Sequence, residues 1–149
     1  MQHKYLTIID DKNKLDKADD VAHKKMGGKW RMSSKEEFEE LKTKCQWQWL
    51  SSTGRTGYIV KGPNGNSIFL PAAGYRSGTS LSDEGKYGYY WSSALSASSP
   101  DSARILDFHS SSVYVSYNDR YWVIAYAWSQ TNLAQLGCRR QAVRTTENF

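Results

Sequence analysis

A chain of 149 residues with 39% hydrophobic and 23% charged side chains has the size and balance of one folded domain, not of a disordered segment. Its formal charge of +5 is spread as 11 Lys/Arg against 9 Asp/Glu in residues 1–50 and 9 against 6 beyond, without the basic stripe of a nucleic-acid binder. No apolar run approaches the roughly 20 residues that span a bilayer, and the opening Met1-Gln2-His3-Lys4 lacks a signal-peptide pattern, so neither nucleic acid nor membrane insertion is expected.

The first predicted element is a helix over residues 17–26. Asp16 precedes it, acids fill its first turn and bases its last, and Gly27-Gly28 stops it, an order that suits the helix macrodipole. Ala18, Val21, Ala22 and Met26 then fall near one face. The second helix opens on Ser34-Lys35-Glu36-Glu37, a capping box in which the serine hydroxyl accepts from the Glu37 amide and the carboxylate reaches back. Phe38, Leu41 and Cys45 follow at spacings of three and four, which turns Cys45 toward the core. Trp47 and Trp49, with period two, mark the change to extended chain.

From Gly57 the pattern is strands and turns. Residues 58–61 and 67–70 read as a hairpin around Gly62-Pro63-Asn64-Gly65-Asn66, with Asn-Gly as the turn signal. Further strands are expected at 89–91, 103–108, 113–117 and 142–143, giving an α+β chain.

Cys45 and Cys138 are 93 positions apart, which excludes a CxxC motif, and His3, His23 and His109 are scattered, so no metal cluster is expected. Spacing alone leaves a long-range disulfide and two buried thiols on equal terms.

Residues 87–128 hold 11 of the 20 aromatic side chains, and ten serines lie between Ser92 and Ser116. Cores prefer Leu, Ile and Val, because buried hydroxyls require partners. Tyrosine, tryptophan and serine together are instead the composition of a binding paratope. Strand alternation sharpens this. With Leu106 and Phe108 inward, Ile105, Asp107 and His109 face out; with Val113 and Val115 inward, Tyr114 and Ser116 face out. Continued by Asn118, Asp119, Tyr121 and Trp122, these form the expected ligand-binding patch. A Tyr-rich sheet stabilised by its own cross-strand pairs, without a ligand, fits the pattern equally well.

Catalytic readings have less support. His109, Asp107 and a serine lack the GxSxG frame of a nucleophile elbow. The acidic run 36–40 reads as a solvated helix face, and Gly62-Pro63-Asn64-Gly65 lacks the GK[ST] that holds phosphate. Asp83-Glu84 offers two acids without the further oxygen ligands calcium requires. No enzymatic activity, cofactor or metal is expected.

Three stretches carry a family resemblance. Gly27-Gly28-Lys29-Trp30-Arg31-Met32-Ser33-Ser34-Lys35-Glu36-Glu37-Phe38 resembles the GG-x-WRMPT-xx-E(F/W) opening of the Fibrobacter succinogenes major paralogous domain family. Gly62-Pro63-Asn64-Gly65-Asn66-Ser67-Ile68-Phe69-Leu70-Pro71-Ala72-Ala73-Gly74-Tyr75-Arg76 is similar to its most characteristic block, and Tyr87-Gly88-Tyr89-Tyr90-Trp91-Ser92-Ser93 to its third. The match covers roughly residues 16–122, with Ala103, Leu106, Phe108, Val113 and Arg120 on the later pattern. The resemblance implies a C-type-lectin-like fold, with two N-terminal helices packed on short antiparallel sheets with long loops. It implies one domain over 1–149, with an N-terminal extension at 1–15 and an insertion at 123–136.

The family occurs in surface proteins of gut Bacteroidetes and their phages. Some members are variable proteins of diversity-generating retroelements, in which the C-terminal block is diversified. The positions that vary there correspond here to Ile105, Asp107, His109, Tyr114, Ser116, Asn118, Asp119, Tyr121 and Trp122. The implied function is display of a surface that binds a protein or glycan on a cell or phage target. The implied location is extracellular, at a cell surface or on a virion. A structural surface module without its own ligand is the first alternative, and an enzyme of the formylglycine-generating type the second. That enzyme branch uses a cysteine pair near the C-terminus, where this chain has Cys138 alone. C-type lectins often join a helix to the last strand by a disulfide, so the resemblance also implies a Cys45–Cys138 bond. The chain departs from the family in the 123–136 stretch and at Gln141, where arginine is usual.

Overall fold

The computed structural model describes residues 14–28, 30–96, 98–99 and 101–119 in full, and the backbone of 123–126. The order is α1 (Val21–Met26), α2 (Lys35–Lys44), then strands β1 (Gln46–Ser52), β2 (Arg55–Lys61), β3 (Ser67–Pro71), β4 (Tyr75–Ser77) and β5 (Ser80–Ser82). They are followed by β6 (Tyr87–Leu95), β7 (Ser102–His109), β8 (Ser112–Asp119) and β9 (Val123–Tyr126). The mixed α+β class is as expected. Strand 142–143 and Cys138 lie outside the described residues, and with them the Cys45–Cys138 pairing.

The first helix starts later than the sequence suggests. Residues 17–19 form a turn, in which the amides of Asp19 and Asp20 donate to the Asp16 carbonyl at 3.0 and 2.9 Å. The cap is Asp20, not Asp16. One Asp20 carboxylate oxygen accepts from the amides of Ala22 and His23 at 2.9 and 3.0 Å, and the other from the Met32 amide at 2.8 Å. The carboxylate therefore holds the helix start and the chain beyond the helix together, which no cap at Asp16 would do. Ala18 is consequently exposed, and Ala22 is the residue of α1 that is buried.

The second helix follows its sequence signals. Ser34 and Glu37 form both bonds of the capping box, at 3.1 and 2.9 Å. Arg31 forks onto the buried Glu37 carboxylate, which holds its guanidinium above the ordinary pKa against the opposing effect of burial. Phe38 and Leu41 are fully buried, and Cys45, the C-cap, packs against the same core.

The strands form a three-stranded sheet in the order β1-β2-β3 and a six-stranded sheet in the order β5-β4-β9-β6-β7-β8. Every pairing is antiparallel except β6 with β9. The predicted hairpin is β2–β3, with Lys61 opposite Ser67. The backbone of 123–126, in the stretch expected as an insertion, is a strand between β4 and β6.

The large sheet is packed on both faces, unequally. On one face Tyr90, Leu106 and Phe108 join Phe38 and Leu41 of α2 and Tyr58, Val60 and Leu70 of the small sheet in one core. Gly88 makes this packing fit, because a Cβ there would overlap the Phe108 ring. On the other face a smaller cluster of Ala22, Met32, Trp91, Ala103 and Ile105 lies under α1. Among the described residues that cover spans one end of the face, and Tyr114 is exposed at the other.

Candidate functional site

Register fixes what the open end presents. Tyr87 on β6 pairs with His109 on β7, and His109 with Ser112 on β8. In the next row on the same face Tyr89 pairs with Asp107, and Asp107 with Tyr114. In the row after that Trp91 pairs with Ile105, and Ile105 with Ser116. The cluster under α1 takes in Trp91 and Ile105 of this third row and Ala103 of the next, and Tyr89 of the second row packs against its edge. Tyr87, Asp107 and His109 are half-buried, and Tyr114 is exposed.

The rings of these rows form a continuous strip. Tyr75 meets Tyr89 edge-on at 5.8 Å, and Tyr89 stacks on Tyr87 at 5.8 Å with planes 6° apart. Tyr87 meets the His109 imidazole at 5.3 Å, and His109 meets Tyr114 at 6.3 Å. All these separations are in the range where aromatic pairs attract. The Asp107 carboxylate lies between Tyr89 and Tyr114 and accepts from the Ser116 hydroxyl at 2.9 Å. The Tyr89 hydroxyl donates to Asp83 at 3.3 Å; burial first, and then the Asp83 and Asp107 charges, push this phenol well above its ordinary pKa. The Ser111 hydroxyl lies 3.2 Å from His109 Nδ1.

The expected site residues divide accordingly. Asp107, His109, Tyr114 and Ser116 are brought together on the strip; Asn118 shares the face, opposite Ala103 at the covered end. Ile105 does not belong to the accessible surface. It is 1% exposed, in the core under α1. The alternation that set it opposite Leu106 is correct, but that face is also buried at this row. Asp119 is exposed, yet alternation along β8 puts it on the other face with Tyr117. Tyr121 and Trp122 lie outside the described residues.

Tyr87, Tyr89, Tyr75 and Asp83 were missed by the sequence reading. Period two in 87–91 would have grouped Tyr87 with Tyr89, but placing them beside Asp107 requires the β6–β7 register. Tyr117, 52% exposed, stacks on Arg104 at 3.8 Å on the opposite face.

Geometrically, the strip offers flat ring faces, hydroxyls and one carboxylate on rigid strands. Among the described residues no three His, Cys, Asp or Glu side chains gather as metal ligands do. A hollow of about 410 Å³ floored by Leu15, Trp30 and Met32 lies beside α1, away from the strip.

No curated protein and no solved structure matches the chain. A family model matches residues 30–126, from the segment before α2 through β9. The chain therefore belongs to the family described as Domain of unknown function (DUF8237).

Proposed function

We propose that this domain displays a ligand-binding surface, of the type found in retroelement-diversified variable proteins, that recognises a protein or glycan on a cell or phage target. The observation that carries the reading is the open Tyr87–His109–Tyr114 strip, in which aromatic faces and small hydroxyls sit on a rigid sheet instead of in a core. Rigid aromatics bind at low entropic cost, since few rotamers must be frozen. The resemblance of residues 27–38, 62–76 and 87–93 to the Fibrobacter succinogenes family supports a C-type-lectin-like fold and an extracellular, cell-surface or virion setting. On this reading the domain acts by binding, without catalysis.

The test is a screen of the purified domain against bacterial surface glycans and proteins, beside a Tyr87→Ala/Tyr114→Ala variant whose fold is checked by circular dichroism. Saturable binding that the variant loses supports the reading. Binding that the folded variant keeps refutes the location. If nothing in the screen binds and the same strip proves buried against a neighbouring domain of a longer chain, the structural-module reading replaces it.

A further inference from the structure

The carboxylate at the centre of the strip narrows the kind of partner. Aspartate is disfavoured inside strands, and Asp107 is half-buried between Tyr89 and Tyr114 in one cross-strand row. Opposed side chains in such rows stand about 5 Å apart at Cβ, so one group resting on Asp107 also meets the flanking ring faces. Those faces carry the negative end of the ring quadrupole, and Asp83 adds a second carboxylate behind Tyr89. Among the described residues no Lys or Arg lies within ion-pair distance of Asp107 or Asp83. The chain's arginines do stack on rings elsewhere, Arg55 on Phe69 at 4.2 Å and Arg104 on Tyr117, but on other surfaces.

A protein whose overall charge is +5 thus carries a locally anionic aromatic strip. We infer that its occupant is a protein segment presenting an arginine side chain, with the guanidinium over the exposed Tyr114 ring and donating to Asp107. The Ser116 hydroxyl already occupies one Asp107 oxygen, so it fixes the carboxylate and leaves the other oxygen for the incoming cation. A planar cation fits ring faces and carboxylate together better than a point charge does. The inference rests on the proposed binding surface and specifies its partner.

The probes are hexa-arginine and hexa-citrulline peptides, which differ in charge but hardly in shape. Wild type should bind hexa-arginine about tenfold or more tighter than hexa-citrulline, with affinity falling as salt rises. Asp107→Asn should remove about tenfold of that affinity, and Ser116→Ala a smaller part, through loosened placement of the carboxylate. Asp101→Asn, the same charge change just before the far end of β7, should leave it unchanged. Equal binding of both peptides, or equal loss in Asp101→Asn and Asp107→Asn, overturns the cation assignment. Saturable glycan binding lost in Tyr87→Ala/Tyr114→Ala but unaffected by Asp107→Asn would also overturn it while leaving the binding surface standing.

Discussion

Ile105 and Gly88 show how single positions decide what this sheet can present. Ile105 sits one residue from the core position Leu106, and alternation alone would send it to solvent. Instead Ala22 and Met32 bury it, so it serves stability. Ile105→Ala should cost about 2–4 kcal/mol in chemical denaturation, through lost burial and a residual cavity. Binding by the folded fraction should be unchanged; a fully stable variant with lost binding would return Ile105 to the ligand surface. Gly88 faces the buried Phe108 ring from the neighbouring strand. Gly88→Ala should destabilise by about 1–3 kcal/mol, because a fully buried ring has little room to shift. An unchanged unfolding midpoint would contradict that packing.

Of the two helices, α2 was the more legible in the sequence and α1 the less. The Ser34–Glu37 box and the Phe38/Leu41 spacing are local signals, and local signals survive folding. Ser34→Ala should cost about 1 kcal/mol, measurable as a lowered thermal midpoint with an unchanged strip. The α1 start was misplaced because two aspartates can each cap a helix, and the choice depends on the distant Met32 amide. The β2–β3 hairpin and the inward faces of β7 and β8 were likewise legible from turn chemistry and alternation. The β4–β5 hairpin was not, since strands of three residues are too short to show alternation, and neither was the parallel β6–β9 pairing, which joins remote segments. The candidate site fell between these cases: Asp107, His109, Tyr114 and Ser116 emerged from alternation, whereas Tyr87 and Tyr89 needed the register.

For the molecule as a whole, the unequal cover of the large sheet links stability to display. One face is closed by α2 and the small sheet, and among the described residues the other is closed only by the cluster under α1. The buried and half-buried phenols of both faces, Tyr58 and Tyr90 on one and Tyr89 on the other, should also set the alkaline limit of stability. Burial pushes the Tyr58 and Tyr90 phenols above the ordinary 10.0, while their hydroxyls donate to the carbonyls of His109 and Pro71. Below pH 10.0 both folded and unfolded phenols are protonated and contribute no pH dependence. Above it the unfolded phenols ionise first, so stability should fall as pH rises toward the raised folded values. Tyr90→Phe should flatten that fall while costing about 1 kcal/mol at neutral pH from the lost hydrogen bond. Urea unfolding followed from about pH 9 to about pH 11 checks both effects.

Tyr114 and Tyr117 provide the most direct comparison for the binding surface. They are three residues apart on β8 and 47% and 52% exposed, but they stand on opposite faces of the sheet. The measurement is the affinity of Tyr114→Ala and of Tyr117→Ala, side by side, for whichever surface glycan or protein the wild type retains. Loss confined to Tyr114→Ala is the expected result. Loss confined to Tyr117→Ala would place the ligand on the α2 side and contradict the strip as the binding surface.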